Sequence, residues 1–155
     1  MQFSIISGLI VAAACGGCVH EKVSPTLLQD WSPKLDQPIR QLREVLAATE
    51  QQQSMNYTSA NLGLVLDAKL YILFYDYLDE LDEGARARAI EEQHVWRVDR
   101  QRAFQEAYKE YEGGSFASYA GNTRFIEMTE ARIEEIEKRL RQVESAGNAG
   151  ASTLR

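Results

Sequence analysis

Cysteine is nearly absent from the 155-residue chain: Cys15 and Cys18 are the only two, both ahead of the region that could fold, so no internal disulfide staple can be drawn. Histidine is as scarce. His20 and His94 lie far apart and without a clustered set of partner ligands, which leaves a metal site without donors. Nothing in the chain alternates like strands, so a thioredoxin-type role for Cys15-Gly16-Gly17-Cys18 lacks the strand-to-helix setting it needs. A clustered basic surface is missing too. The net charge of −6 disfavours nucleic acid and favours encounter with a basic partner. Gly113-Gly114 is not followed by the lysine and hydroxyl of a phosphate loop. Ser115 and Ser118 lack the setting of a nucleophile elbow and have no base nearby in sequence. These absences nominate no catalytic residue, no metal and no cofactor, and the chain reads as a non-enzyme.

What is present is ordinary for one globular domain: an apolar share of 45% and a charged share of 26% in a chain long enough for one core but not two. The first segment is different. From Phe3 to Ala14 it is uncharged and apolar, too short to span a bilayer stably, and it runs through small residues into Cys15. This resembles a bacterial lipoprotein signal, which implies a signal peptide over 1–14 and lipidation of Cys15, with Cys18 the less suitable site. Residues 15–35 form a tether containing Pro25 and Pro33, with Pro38 just after it. Trp31 is its one large apolar group, able to pack on the domain or to touch a partner.

Periodicity then predicts an all-α fold over 36–145, a small antiparallel bundle of about four helices near 37–53, 59–81, 85–111 and 115–145, followed by a disordered tail over 146–155. Asp36 and Pro38 suit a helix entry, and Ile39, Leu42 and Leu46 give the first amphipathic face. Asn56 to Asn61 reads as a polar break. Beyond it, Leu66, Leu70, Leu73, Tyr77 and Leu81 form one buried stripe, widened by Phe74 and Leu78. Asp67 lies beside that stripe, either as a solvated edge residue or as the ion-pair partner of Arg100 or Arg132. The helix ends in Asp76, Asp79, Glu80, Asp82 and Glu83, acids that oppose its macrodipole.

The stretch Gln93 to Arg139 organises the rest. Gln93, Trp96, Arg100, Ala103 and Ala107 share one helical face, on which Trp96 is either core or a ligand platform. A network of Arg100, Gln93, Asp67 and Thr129 would fix the register of three helices. Tyr119, Ile126, Ile133 and Leu140 repeat every seven residues, with Asn122, Thr129, Ile136 and Val143 completing the seam. Gly113 or Gly114 can take the left-handed conformation that closes a helix, and Ser115 can cap the next.

The order Asp67, Gln93, Trp96, Arg100, Gly113-Gly114-Ser115, Thr129 and Arg132, with Leu70 and Phe74 upstream, resembles the lysozyme inhibitor LprI-like family of small bacterial envelope proteins, over roughly Leu62 to Leu140. Many members carry cysteines near the places of Phe104 and Arg124, so the resemblance implies a variant without those disulfides. It also implies a structural or partner-binding motif at Asp67, Gln93, Trp96, Arg100, Gly113, Gly114, Thr129 and Arg132. The expected protein is lipid-anchored in the cell envelope, on the periplasmic or surface side, and binds and inhibits a basic lysozyme-type muramidase. The alternative is a non-inhibitory structural or adaptor lipoprotein that binds another envelope component.

Overall fold

The computed structural model of the chain describes residues 34–152, with side chains as far as Ala146. The expected signal segment, Cys15, Trp31 and the expected tether as far as Pro33 lie outside the described residues, while Leu35 packs against the core. Four helices follow one another: α1 Asp36–Ala47, α2 Gln52–Asp79, α3 Glu83–Glu110 and α4 Ala117–Ser152. No strand occurs among the described residues, and the fold is all-α, as the periodicity predicts. None of these helices is long and apolar enough to cross a membrane.

The helices alternate in direction, so α2 and α4 run parallel, and that parallel pair is the spine of the fold. Asn122 near the start of α4 meets Asn56 and Ser59 near the start of α2, and Lys69 further along α2 approaches Glu137 further along α4. Small residues permit the approach: a Cβ on Gly63 would stand 3.2 Å from the Phe125 ring. Leu62, Leu66, Leu70, Ile126, Ile133 and Ile136 form the core between the two helices. α1 lies in one flanking groove, held by Ile39 and by ion pairs from Arg43 to Glu130 and from Asp36 to Lys69. α3 occupies the other groove. It packs on α4, where Gly121 sits against the Phe104 ring, while its backbone stays apart from that of α2. Long side chains fill the gap between α2 and α3.

Three boundaries differ from the sequence reading. The expected break at Asn56 to Asn61 is continuous helix, because α2 begins at Gln52 and α1 ends at Ala47. Thr58 and Ser59 are buried there, and Asn122 donates through Nδ2 to the Asn56 carbonyl (3.1 Å) and to Ser59 Oγ (3.0 Å). Polar groups with such partners do not need solvent. Ser115 does not cap α4 through its side chain: it lies in the turn before Ala117, where its carbonyl accepts from Asn56 Nδ2 at 3.0 Å. The tail expected to be disordered from 146 continues α4 to Ser152. Gly113 does take positive φ, 85°, but within the turn beyond α3, whose end is capped at Tyr111.

Candidate functional site

The groove between α2, α3 and α4 is filled by two buried arginines on either side of one tryptophan. Arg100, on α3, is 6% exposed, and its Nη1 donates to Asp67 Oδ1 on α2 at 2.6 Å and to Thr129 Oγ1 on α4 at 3.0 Å. Thr129, fully buried, passes its own proton to the Phe125 carbonyl at 2.7 Å, so its hydroxyl is fixed as an acceptor toward Arg100. The guanidinium carbon of Arg100 stands 3.9 Å from the centre of the Phe125 ring and 4.6 Å from that of Trp96. A guanidinium this close to two rings makes cation–π contacts that its delocalised charge suits better than the compact ammonium of lysine does.

Arg132, on α4, approaches Trp96 as well, at 5.7 Å from its centre. Its Nε donates to Gln93 Oε1 at 3.0 Å and its Nη1 to Glu135 Oε2 at 2.7 Å. Arg132 Nη2 is the one buried side-chain polar atom without a partner among the described residues. The chain of charges continues through Glu135 to Arg139, which also donates to Glu92 on α3 at 2.7 Å. Burial pushes the Glu135 carboxyl up, but Arg132 and Arg139 outweigh it and hold the group below its ordinary value. The hydrogen bond to Glu92 holds Arg139 in its charged form against the effect of burial.

The structure therefore divides the residues singled out in the sequence into three groups. Asp67, Arg100 and Thr129 of the expected network come together, with Trp96 against Arg100, and Arg100 is the partner Asp67 chooses. Gln93 does not join them: it lies on the far side of Trp96 and bonds Arg132, because one helical turn separates it from Trp96 along α3. Gly113 and Gly114 stand outside the cluster and shape the α3–α4 turn. Phe125 and Glu92 are members that sequence reasoning missed, whereas Glu135 and Arg139 make the i, i+4 pair that their spacing on one helix offers. Phe125 had one signal, since it precedes Thr129 by four residues and shares its face.

Chemically the cluster is a clamp. Its carboxylates are tied to guanidiniums, and none is paired with a nucleophile that it could deprotonate. Among the described residues no set of His, Cys, Asp and Glu is placed to hold a metal. A cavity of about 420 Å³ between α1, α2 and α4 is crossed by the ion pairs of Lys69 with Asp36 and of Arg43 with Glu130.

The surface offers a different feature at the α2–α3 turn. Asp76, Asp79, Glu80, Asp82 and Glu83 are all exposed there. Asp82 caps α3 by accepting from Ala85 N at 2.7 Å. Arg86 closes the end of α2, donating from Nε to the Leu78 carbonyl at 3.0 Å and from Nη2 to that of Leu81 at 3.3 Å. The other acids keep no such task, and partial burial together with the Asp79 charge raises the Asp76 carboxyl above its ordinary value. Compared with known proteins, the chain matches no family model, no curated protein and no solved structure.

Proposed function

We propose that this chain is an exported, lipid-anchored envelope protein of the LprI-like type that works by binding another protein, with a basic lysozyme-type muramidase as the first candidate. One observation carries the reading. Asp67, Trp96, Arg100, Thr129, Gln93 and Arg132, far apart in sequence, pack around one tryptophan, which supports treating their order in the sequence as the signature of one fold type. In this reading the clamp sets the geometry of the helices and the exposed acids at the α2–α3 turn meet the basic partner, whose cations would relieve the mutual repulsion around Asp76 and Asp79.

The test is digestion of cell walls by lysozyme with and without the full chain, at low and at high salt. Inhibition that fades with salt, and that Asp79→Asn/Glu80→Gln/Glu83→Gln weakens without loss of helicity, is the expected result. A chain that neither slows digestion nor binds lysozyme at low salt would sink the muramidase reading. The anchor is tested separately: Cys15→Ala should move the protein from the membrane fraction to the soluble one.

A further inference from the structure

The face of α2 that points away from α4 carries Tyr57, Asn61, Leu64, Ala68, Tyr71 and Tyr75, in alternating steps of four and three residues. That is the spacing of a coiled-coil seam. None of the six is charged, and Tyr57, Leu64, Tyr71 and Tyr75 are 71, 68, 64 and 54% exposed. The corresponding outer face of α4 is what a solvated helix should look like, with Arg124, Glu127, Glu134, Lys138 and Arg141 exposed along it. α2 is apolar on both its faces, yet among the described residues only one is covered. A helix that is apolar all round belongs between two partners.

We infer that the outer seam of α2 is covered by the same seam of a second copy of this chain, the two α2 helices running antiparallel about a two-fold axis between Leu64 and Ala68. An antiparallel pairing centred there sets Leu64 opposite Ala68, Asn61 opposite Tyr71, and Tyr57 opposite Tyr75 in the partner. Each large side chain at the centre then meets a small one, and the Asn61 amide meets a phenol that can bond it. A parallel pairing would instead stack each residue on itself, leaving Ala68 opposite Ala68 and Asn61 opposite Asn61. Taking roughly 200 Å² for a fully open large side chain, the four exposed ones bury about 500 Å² per copy, or about 1,000 Å² in total, which reaches the size expected of a specific interface. The one charged residue flanking the seam between Tyr57 and Tyr75, Asp67, is already matched by Arg100.

Sedimentation equilibrium on the full chain tests this. The expected result is a monomer–dimer equilibrium in the micromolar range, with Leu64→Glu raising the dissociation constant by at least ~100-fold, because the substitution acts twice across the axis. Leu64 is 68% exposed and lies outside the core cluster, and unchanged circular dichroism checks that the helices remain. Direction is read in a Cys15→Ser/Cys18→Ser background: Tyr57→Cys and Tyr75→Cys should crosslink to one another when mixed, and neither to itself. Self-crosslinking of each variant would overturn the antiparallel seam. A monomer at concentrations up to about 500 µM, or a dimer that Leu64→Glu leaves intact, would overturn the proposal. So would a monomer whose Tyr57, Tyr71 and Tyr75 become protected only on adding phosphatidylglycerol vesicles, since a lipid surface would then be what covers the face.

Discussion

Replacing Arg100 by alanine removes four things at once, and the structure sets the scale of each. The ion pair with Asp67 contributes little by itself, about 1 kcal/mol or less, since the carboxylate side chain is 47% exposed and solvent screens it. The charged hydrogen bond to Thr129 is buried and contributes about 1.5 kcal/mol. The stacking on Phe125 and Trp96 adds about 0.5–1 kcal/mol for each ring. Loss of the packed methylene stem adds about 1–2 kcal/mol. Desolvation of the guanidinium offsets part of this, so Arg100→Ala should destabilise by about 3–4 kcal/mol. Asp67→Asn should lose only about 1 kcal/mol, because Arg100 keeps Thr129, both rings and an opening to water on the Asp67 side. The double variant should lose at least ~0.5 kcal/mol less than the sum of the two. Arg100→Lys should fall between, since a compact, strongly hydrated ammonium would replace the delocalised guanidinium beside the two rings. Urea unfolding followed by circular dichroism measures all four variants. A loss under about 1 kcal/mol for Arg100→Ala, or strict additivity with Asp67→Asn, would refute the clamp.

Three further outcomes follow from the same packing. Gly121→Ala should destabilise by about 1–2 kcal/mol, because its Cβ would stand 2.9 Å from Phe104, and Phe104→Leu in the same chain should restore much of the loss in urea melts. The folded-state value of Glu135 is depressed, so its contribution is present above the ordinary carboxylate range and is lost as pH falls through the folded value. Glu135→Gln should therefore lower stability at neutral pH and flatten the loss of Tm in acid; an unchanged acid slope would count against the Arg132–Glu135–Arg139 chain. Asp76 has the opposite sign, raised by burial and by Asp79, so its ionised form opposes folding at neutral pH. Asp76→Asn should raise Tm at pH 7 and make little difference in acid, and an Asn variant no more stable than the parent would show that the acids at the α2–α3 turn do not repel.

Much of this architecture was legible in local patterns, because helices bury faces that recur at fixed spacing. The seven-residue repeat of Ile126 and Ile133 and the stripe of Leu66, Leu70 and Tyr77 are in the core where periodicity put them. Gly113 takes the left-handed conformation in the α3–α4 turn, and Arg100 finds Asp67, since a buried guanidinium demands an opposite charge. The sequence alone determined which faces are apolar, where the turn after α3 falls and which charges need partners. It could not say which helix supplies the partner. Asn56 to Asn61 looked like a loop because polar residues read as solvent-facing until Asn122 comes across from α4 to bond them. Gln93 went to Arg132, Phe125 slid under Arg100, and α2 lay parallel on α4 with Tyr57, Tyr71 and Tyr75 outward, all decided by how helices distant in sequence meet. Periodicity acts within one helix, whereas hydrogen-bond partners and ring stacking act across the gap between helices, and only the tertiary structure closes that gap.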